Sequence, residues 1–197
     1  MNRYLSILLT LVIAGFITPG AFAQSDTLEC GARIVSNQPL SNGSGDRICL
    51  FVDGTGDRAR VVLRGCSVKT ADLRFLWRII RHDGGGLYIR PAAAERADRR
   101  MEVADFNKSD GAAIQIWGAN AGNGYRSQTW DLFPVTNPFT GVNGFMIISV
   151  DSGKCLNVPL GRSPLDQEVA QLFTCARALN DTWRIEPVLE GSERDCM

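Results

Sequence analysis

Few side chains in this chain could make or break a bond. There is one histidine, His82, beside Asp83 and the Gly84-Gly85-Gly86 turn. A lone imidazole in a turn reads as a loop residue and supports neither a Ser-His-Asp relay nor a multi-histidine metal site. Asp105, Asn107, Asp110 and Gly111 gather oxygen atoms in one stretch, but the spacing departs from the EF-hand pattern and its closing glutamate is missing. Asp110-Gly111 reads instead as a turn between strands. No carboxylate pair stands at matching positions, so the expectation is a protein that is not an enzyme and needs no metal or cofactor. The chemistry that remains is oxidation of six cysteines and the apolar faces of four tryptophans.

Cysteine chemistry depends on the compartment. Arg3 is followed by an apolar run from Leu5 to Ile17, then by Pro19-Gly20 and Ala21-Phe22-Ala23. This has the n-region, h-region and small-x-small site of a secretory signal peptide over residues 1–23, with the mature chain opening near Gln24. The run is too short to span a bilayer, and no second apolar segment follows. A secreted or periplasmic location is expected, where an even number of cysteines implies disulfides. Six allow fifteen pairings, and none is arranged as Cys-x-x-Cys. Three Asn-x-Ser/Thr sites, at Asn42, Asn107 and Asn180, would be glycosylation acceptors only on a eukaryotic route. The 21 basic and 21 acidic residues cancel, which leaves no basic footprint for nucleic acid. A 45% hydrophobic, 21% charged chain with 20 Gly and 8 Pro suits one folded domain of short strands and many turns, over residues 24–197.

The elements that organise these residues repeat. Trp77, Trp130 and Trp183 stand 53 residues apart, in Phe75-Leu76-Trp77-Arg78-Ile79, Gln128-Thr129-Trp130-Asp131-Leu132 and Asp181-Thr182-Trp183-Arg184-Ile185. Ahead of each lies a short strand: Val61–Arg64, Ile114–Trp117 and Ala170–Phe173. Ahead of that is another: Cys49–Val52, Arg100–Val103 and Cys155–Val158. Each unit opens with one more, at Ala32–Val35, Gly86–Ile89 and Phe145–Ile148. Three units of this period, at about 30–80, 84–135 and 142–188, are too few to close a propeller, so threefold closure of a small barrel is expected. Superposing the units pairs Cys49 with Cys66 and Cys155 with Cys175, while the middle unit has Arg100 and Ala119 at those places. Cys30 and Cys196 are left to tie the ends together. Each bridge should add about 2–4 kcal/mol.

The Cys-Leu-x-Val-like runs at 49–52 and 155–158, the Ile-Gln-Ile-Trp at 114–117, and Gln128-Thr129-Trp130 with its two variants resemble the ricin B-type lectins, the QxW β-trefoil family. The resemblance covers roughly residues 30–188. It implies an all-β fold: a single β-trefoil of three pseudo-symmetric repeats, stapled by disulfides. It also implies shallow sugar pockets, at most one per repeat, with glycans as partners, of galactose type. Domains of this kind often carry a toxin subunit or another secreted protein.

A sugar presents vicinal hydroxyls and an apolar C–H face, so its site needs a carboxylate, amides and an aromatic plate. By the resemblance, the middle repeat fills these places with Glu102, Gln115, Trp117 and Gln128. Ser127 takes the place of a frequent Asn, and Asn120, Asn123 and Tyr125 add polar groups in the loop. The third repeat offers Asn157, Gln171, Phe173 and Asn180 or Asp181, where Asn157 keeps an acceptor without the charge. The first repeat has Phe51, Val62 and Arg64 in these places and is read as structural. Trp77, Trp130 and Trp183 are assigned to the core and Trp117 to the ligand. The competing reading is a protein-interaction trefoil, a toxin-assembly or delivery subunit or an inhibitor, whose sugar sites have decayed.

Overall fold

The computed structural model describes residues 27–39, 47–66, 72–119, 126–136, 141, 143–159 and 168–188. The leader at 1–23, Cys196, Asn42, Asn120, Asn123 and Tyr125 lie outside the described residues.

Among the described residues there are thirteen strands, joined by 3-10 turns. These are β1 (Thr27–Pro39), β2 (Arg47–Val52), β3 (Val61–Gly65), β4 (Trp77–Arg81), β5 (Leu87–Pro91), β6 (Arg99–Val103) and β7 (Ala112–Gly118). The chain continues through β8 (Trp130–Thr136), β9 (Asn143–Ser149), β10 (Cys155–Asn157), β11 (Glu168–Val169), β12 (Gln171–Phe173) and β13 (Trp183–Pro187). Strands β11 and β12 are two halves of one arm, parted at Ala170. There the arm changes partner: Ala170 N–H donates to Val61 O at 2.9 Å, and its own carbonyl accepts from Ile114 N–H at 3.0 Å. The strand expected at Ala170–Phe173 therefore loses only Ala170 and runs as β12, Gln171–Phe173. The opening strand, expected at Ala32–Val35, extends over the whole of β1 because three others, β2, β4 and β13, pair along it.

Counting the bent arm once, each repeat supplies four strands. The first and last of each repeat close a ring in which β1 pairs β4, β4 pairs β5, β5 pairs β8, β8 pairs β9, β9 pairs β13 and β13 returns to β1. The middle two form a hairpin: β2 with β3, β6 with β7, β10 with β12. The three hairpins meet through β3–β11, β12–β7 and an isolated bridge from Arg60 to Gln115. A barrel with a three-hairpin cap is the β-trefoil.

The three equally spaced tryptophans begin β4, β8 and β13 and are fully buried. Each indole N–H donates to the carbonyl of the residue that follows the cysteine position: Trp77 to Leu50 (3.2 Å), Trp130 to Met101 (3.0 Å) and Trp183 to Leu156 (2.9 Å). One apolar cluster then joins the repeats, with Ile34, Val61, Ile89, Ile114, Ile147 and Leu172 all fully buried around the indoles. Strands must approach the tryptophan ends closely, and two glycines permit it. A Cβ on Gly86 would stand 2.5 Å from Thr129 Cγ2, and one on Gly144 would stand 2.7 Å from the Trp183 carbonyl.

Disulfides join Cys49 to Cys66 and Cys155 to Cys175. The middle repeat keeps the backbone contact without the bridge: Ala119 N–H donates to Asp98 O, as Cys66 N–H donates to Arg47 O, both at 2.8 Å. In place of a cysteine, Arg100 lays its guanidinium over the Tyr88 ring at 3.7 Å.

Candidate functional site

Register fixes which side chains of each hairpin share a face. In the middle repeat Glu102 lies opposite Gln115 and Arg100 opposite Trp117. Alternation then puts these four on the outer face, while Met101, Ile114 and Ile116 fill the core from the other. Gln128 arrives from the 3-10 turn before Trp130. Gln115 Nε2 donates to Glu102 Oε1 at 2.8 Å, and Gln128 Nε2 donates to Glu102 Oε2 at 2.9 Å and to Gly118 O at 3.1 Å. The carboxylate is therefore held from both sides. It has about four lone-pair sites, so two stay free for hydroxyl donors. Glu102 is 6% exposed; Gln115 and Trp117 are half-buried beside it. Ser127 is buried, and its Oγ and Gln128 Oε1 find no partner among the described residues.

Burial pushes the Glu102 carboxyl above its ordinary 4.5, against the lowering effect of the two amides. Folding thus favours the protonated acid. That contribution to stability is complete at pH below the ordinary value and is lost as pH rises through the raised one. The difference in unfolding free energy between Glu102→Gln and the wild type is therefore expected to move in the variant's favour from pH 4 to pH 7. Urea titrations at several pH values check it, and parallel curves would refute it.

The same positions are filled differently elsewhere. In the third repeat Asn157 lies opposite Gln171 and Cys155 opposite Phe173. Gln171 Nε2 donates to Asn157 Oδ1 at 2.9 Å. Phe173 is 40% exposed. The place of Gln128 is taken by Asp181, whose carboxylate accepts from Ala176 N–H at 2.6 Å and whose pKa is raised by burial. Asn180 stands one residue earlier. It is 7% exposed, and its amide donates to Val158 O at 3.3 Å rather than reaching Asn157 or Gln171. That burial also makes Asn180 a poor glycosylation acceptor in the folded chain, whereas Asn107 is exposed.

In the first repeat Phe51 lies opposite Val62, and Phe75 occupies the Gln128 position. Phe51 and Phe75 pack edge to face at 4.7 Å within a satellite cluster that includes Val35 and Val62. Arg64, the counterpart of Trp117, sits over the Phe51 ring at 4.2 Å. What is a polar network in the middle repeat is here a small apolar core.

The hairpin faces of the middle and third repeats are also touched by the preceding repeat. Asp57, in the β2–β3 loop, accepts from Gly118 N–H at 2.7 Å and pairs with Arg99 at 3.2 Å. Asp110, in the β6–β7 loop, accepts from Thr174 N–H at 2.9 Å and pairs with Lys154 at 2.7 Å. These are equivalent clamps, one residue beyond Trp117 and Phe173. The next residue in each loop is left-handed: Arg58 at φ 66° and Gly111 at φ 85°. Their N–H groups donate to Ile116 O (3.0 Å) and Leu172 O (2.8 Å). Glycine tolerates this backbone freely; an arginine there costs roughly 1–2 kcal/mol. The Arg58 guanidinium lies 5.5 Å from the Trp117 ring centroid. Asp57 and Arg58 were missed in the sequence. The 53-residue offset linking Asp57 to Asp110 and Arg58 to Gly111 was the signal that could have found them.

The single histidine has a local role. Its Nδ1 accepts from Gly84 N–H at 2.8 Å, and the ring packs edge-on against Tyr88. No group of three or more His, Cys, Asp or Glu among the described residues is placed to hold a metal ion.

With this geometry in view, the comparisons with known proteins concern the fold. The chain matches no family model, and no curated protein matches it. Solved structures do. It is similar to the designed threefold-symmetric protein ThreeFoil, at 19% identity and a TM-score of 0.61, covering 80% of this chain and 99% of that one. It is similar to the exo-β-1,3-galactanase 1,3Gal43A from Clostridium thermocellum, at 21% identity and a TM-score of 0.62, over 81% of this chain but only 30% of the enzyme. A third is the C-half of the earthworm R-type lectin in complex with GalNAc, at 13% identity and a TM-score of 0.54, covering 81% and 99%. The chain is thus a β-trefoil whose structural neighbours include lectins. Identities this low establish the shared fold alone.

Proposed function

We propose that the protein is a secreted, non-enzymatic carbohydrate-binding protein of the ricin B type. Residues 24–197 form one lectin domain behind a signal peptide at 1–23, with Cys30 bridged to Cys196. The observation that carries this reading is the carboxylate–amide network of Glu102, Gln115 and Gln128 beside the half-buried, outward-facing Trp117. Glu102 and the amides would meet sugar hydroxyls, and the indole would meet the C–H face. Asn157, Gln171 and Phe173 make a second, weaker site, while the Asn180 amide is turned to Val158 O. Galactose-type sugars are the ligands to try first; the earthworm lectin half, of the same fold, is in complex with GalNAc.

Trp117→Ala is expected to weaken glycan binding at least about tenfold while leaving the fold intact, because the ring is not part of the central cluster. A glycan array, followed by titration of its best ligand with wild type and variant, checks this. If no glycan binds the mature protein at millimolar concentration, the reading is wrong.

A second reading, a trefoil that docks on a secreted partner protein such as a toxin subunit, draws on exposed apolar side chains. Phe106 is 65% exposed, Leu73 52% and Phe133 48%. Phe106 is also presented by a turn in which both Asp105 and Phe106 have positive φ. A stoichiometric protein partner recovered from the native secretome, with binding abolished by Phe106→Ser and unaffected by Trp117→Ala, would favour it.

A further inference from the structure

Arg58 occupies a backbone position built for glycine. Its threefold counterpart is Gly111, both are left-handed, and both donate the same backbone hydrogen bond to the following repeat. That bond uses the N–H, which any residue but proline supplies, so the fold does not require the arginine side chain. The side chain is exposed and lies over Trp117 at 5.5 Å, within cation–π range but without tight contact.

The neighbouring charged groups are each held by other partners, and the one carboxyl group without a cation beside it, Glu102, is buried among neutral amides. Asp57 is held by Gly118 N–H and Arg99. Arg100 faces Asp98 at 3.5 Å and the Tyr88 ring. Arg58 has no carboxylate partner among the described residues. A strained residue thus places a guanidinium, without a carboxylate partner among the described residues, at the rim of the indole plate.

We infer that Arg58 makes the middle-repeat site selective for acidic sugars, whose carboxylate its guanidinium takes as a bidentate partner while the ring stacks on Trp117. The inference rests on the sugar-binding reading of that site. It adds a determinant supplied by the neighbouring repeat. The guanidinium lies 5.5 Å from the indole centroid, a loose contact. When a uronic acid enters, it exchanges a loose ring contact for a charge-assisted pair. The third repeat, with Gly111 at the same point, has no such group and should not discriminate.

The test compares galacturonate with galactose, using fluorescence of the mature protein, because Trp117 is the tryptophan outside the buried core. Galacturonate is expected to bind about tenfold more tightly at low salt, with the margin shrinking as salt is added. Arg58→Gly should melt at or above the wild-type temperature, since it restores the residue type this backbone accepts. It should still bind galactose and lose the preference. Arg58→Lys, which keeps charge without the fork, should retain only part of it. Equal binding of both sugars by the wild type, or a preference that survives Arg58→Gly, would overturn the role of Arg58 and leave the lectin reading standing. Failure of both sugars to bind at millimolar concentration would overturn both.

Discussion

Trp130→Ala is expected to destabilise the protein by roughly 3–5 kcal/mol, the range for removing a large aromatic from a packed core. Trp130 is fully buried, and its indole N–H is the donor to Met101 O at 3.0 Å. The truncation leaves a cavity at the junction of barrel and cap and strips a buried carbonyl of its partner. Trp77 and Trp183 occupy the equivalent places with the equivalent bonds, to Leu50 and Leu156. The three single variants should therefore lose similar amounts, and the double variants should not fold, since the total available is about 5–15 kcal/mol. Trp117→Ala should cost far less, because that ring is half-exposed and outside the central cluster. Denaturant midpoints for the four alanine variants test the division. A Trp117 loss as large as that of Trp130 would place Trp117 in the core and remove it from the candidate site.

The second large effect concerns the bridges. Cys49–Cys66 closes a separation of 17 residues and Cys155–Cys175 one of 20. Loop-closure entropy for rings of this size gives about 3 kcal/mol each. Replacing either pair by alanine should cost roughly 2–4 kcal/mol. The bridges lie in different repeats, so their losses should nearly add. Cys49 adds a packing term, because it belongs to the apolar cluster of the first repeat with Phe51 and Phe75. That pair should be the more damaging to remove by substitution. Unfolding followed with and without reductant reads the effect. A double-alanine variant with an unchanged midpoint would mean that the bridge constrains nothing the fold does not already fix.

The parts of this structure legible in the sequence are those that repeat within one unit. Equal spacing located Trp77, Trp130 and Trp183, and a shared fold then demanded that they be core. The paired gain and loss of cysteines located two bridges. The resemblance to the ricin B-type lectins pointed to Glu102, Gln115 and Gln128, and the hydrogen bonds bring these three side chains together. What escaped lies between repeats. Asp57 and Arg58 act on Gly118 and Trp117 of the next unit, and no alternation or spacing within a unit announces such contacts. The offset was also obscured by register: Val52 pairs with Val61 but Val103 with Ile114, so one arm of the hairpin is shifted against the other between repeats. The break at Ala170 escaped for a related reason. Its cause is a change of partner strand, not a change of residue type. The 53-residue spacing already makes Asp181 the counterpart of Gln128; the structure adds that the Asn180 amide turns to Val158 O instead of joining Asn157 and Gln171.

The pairing of β1 with β13, in register from Ala32–Pro187 to Ser36–Trp183, bears on how the molecule comes to exist. A growing chain that has not yet supplied residues 183–187 leaves β1 and β9 with open edges and the barrel without its third indole. Edges of that kind recruit other strands, and contacts of long sequence separation such as β1–β13 slow folding. The barrel therefore cannot close until residues 183–187 are in place between β1 and β9.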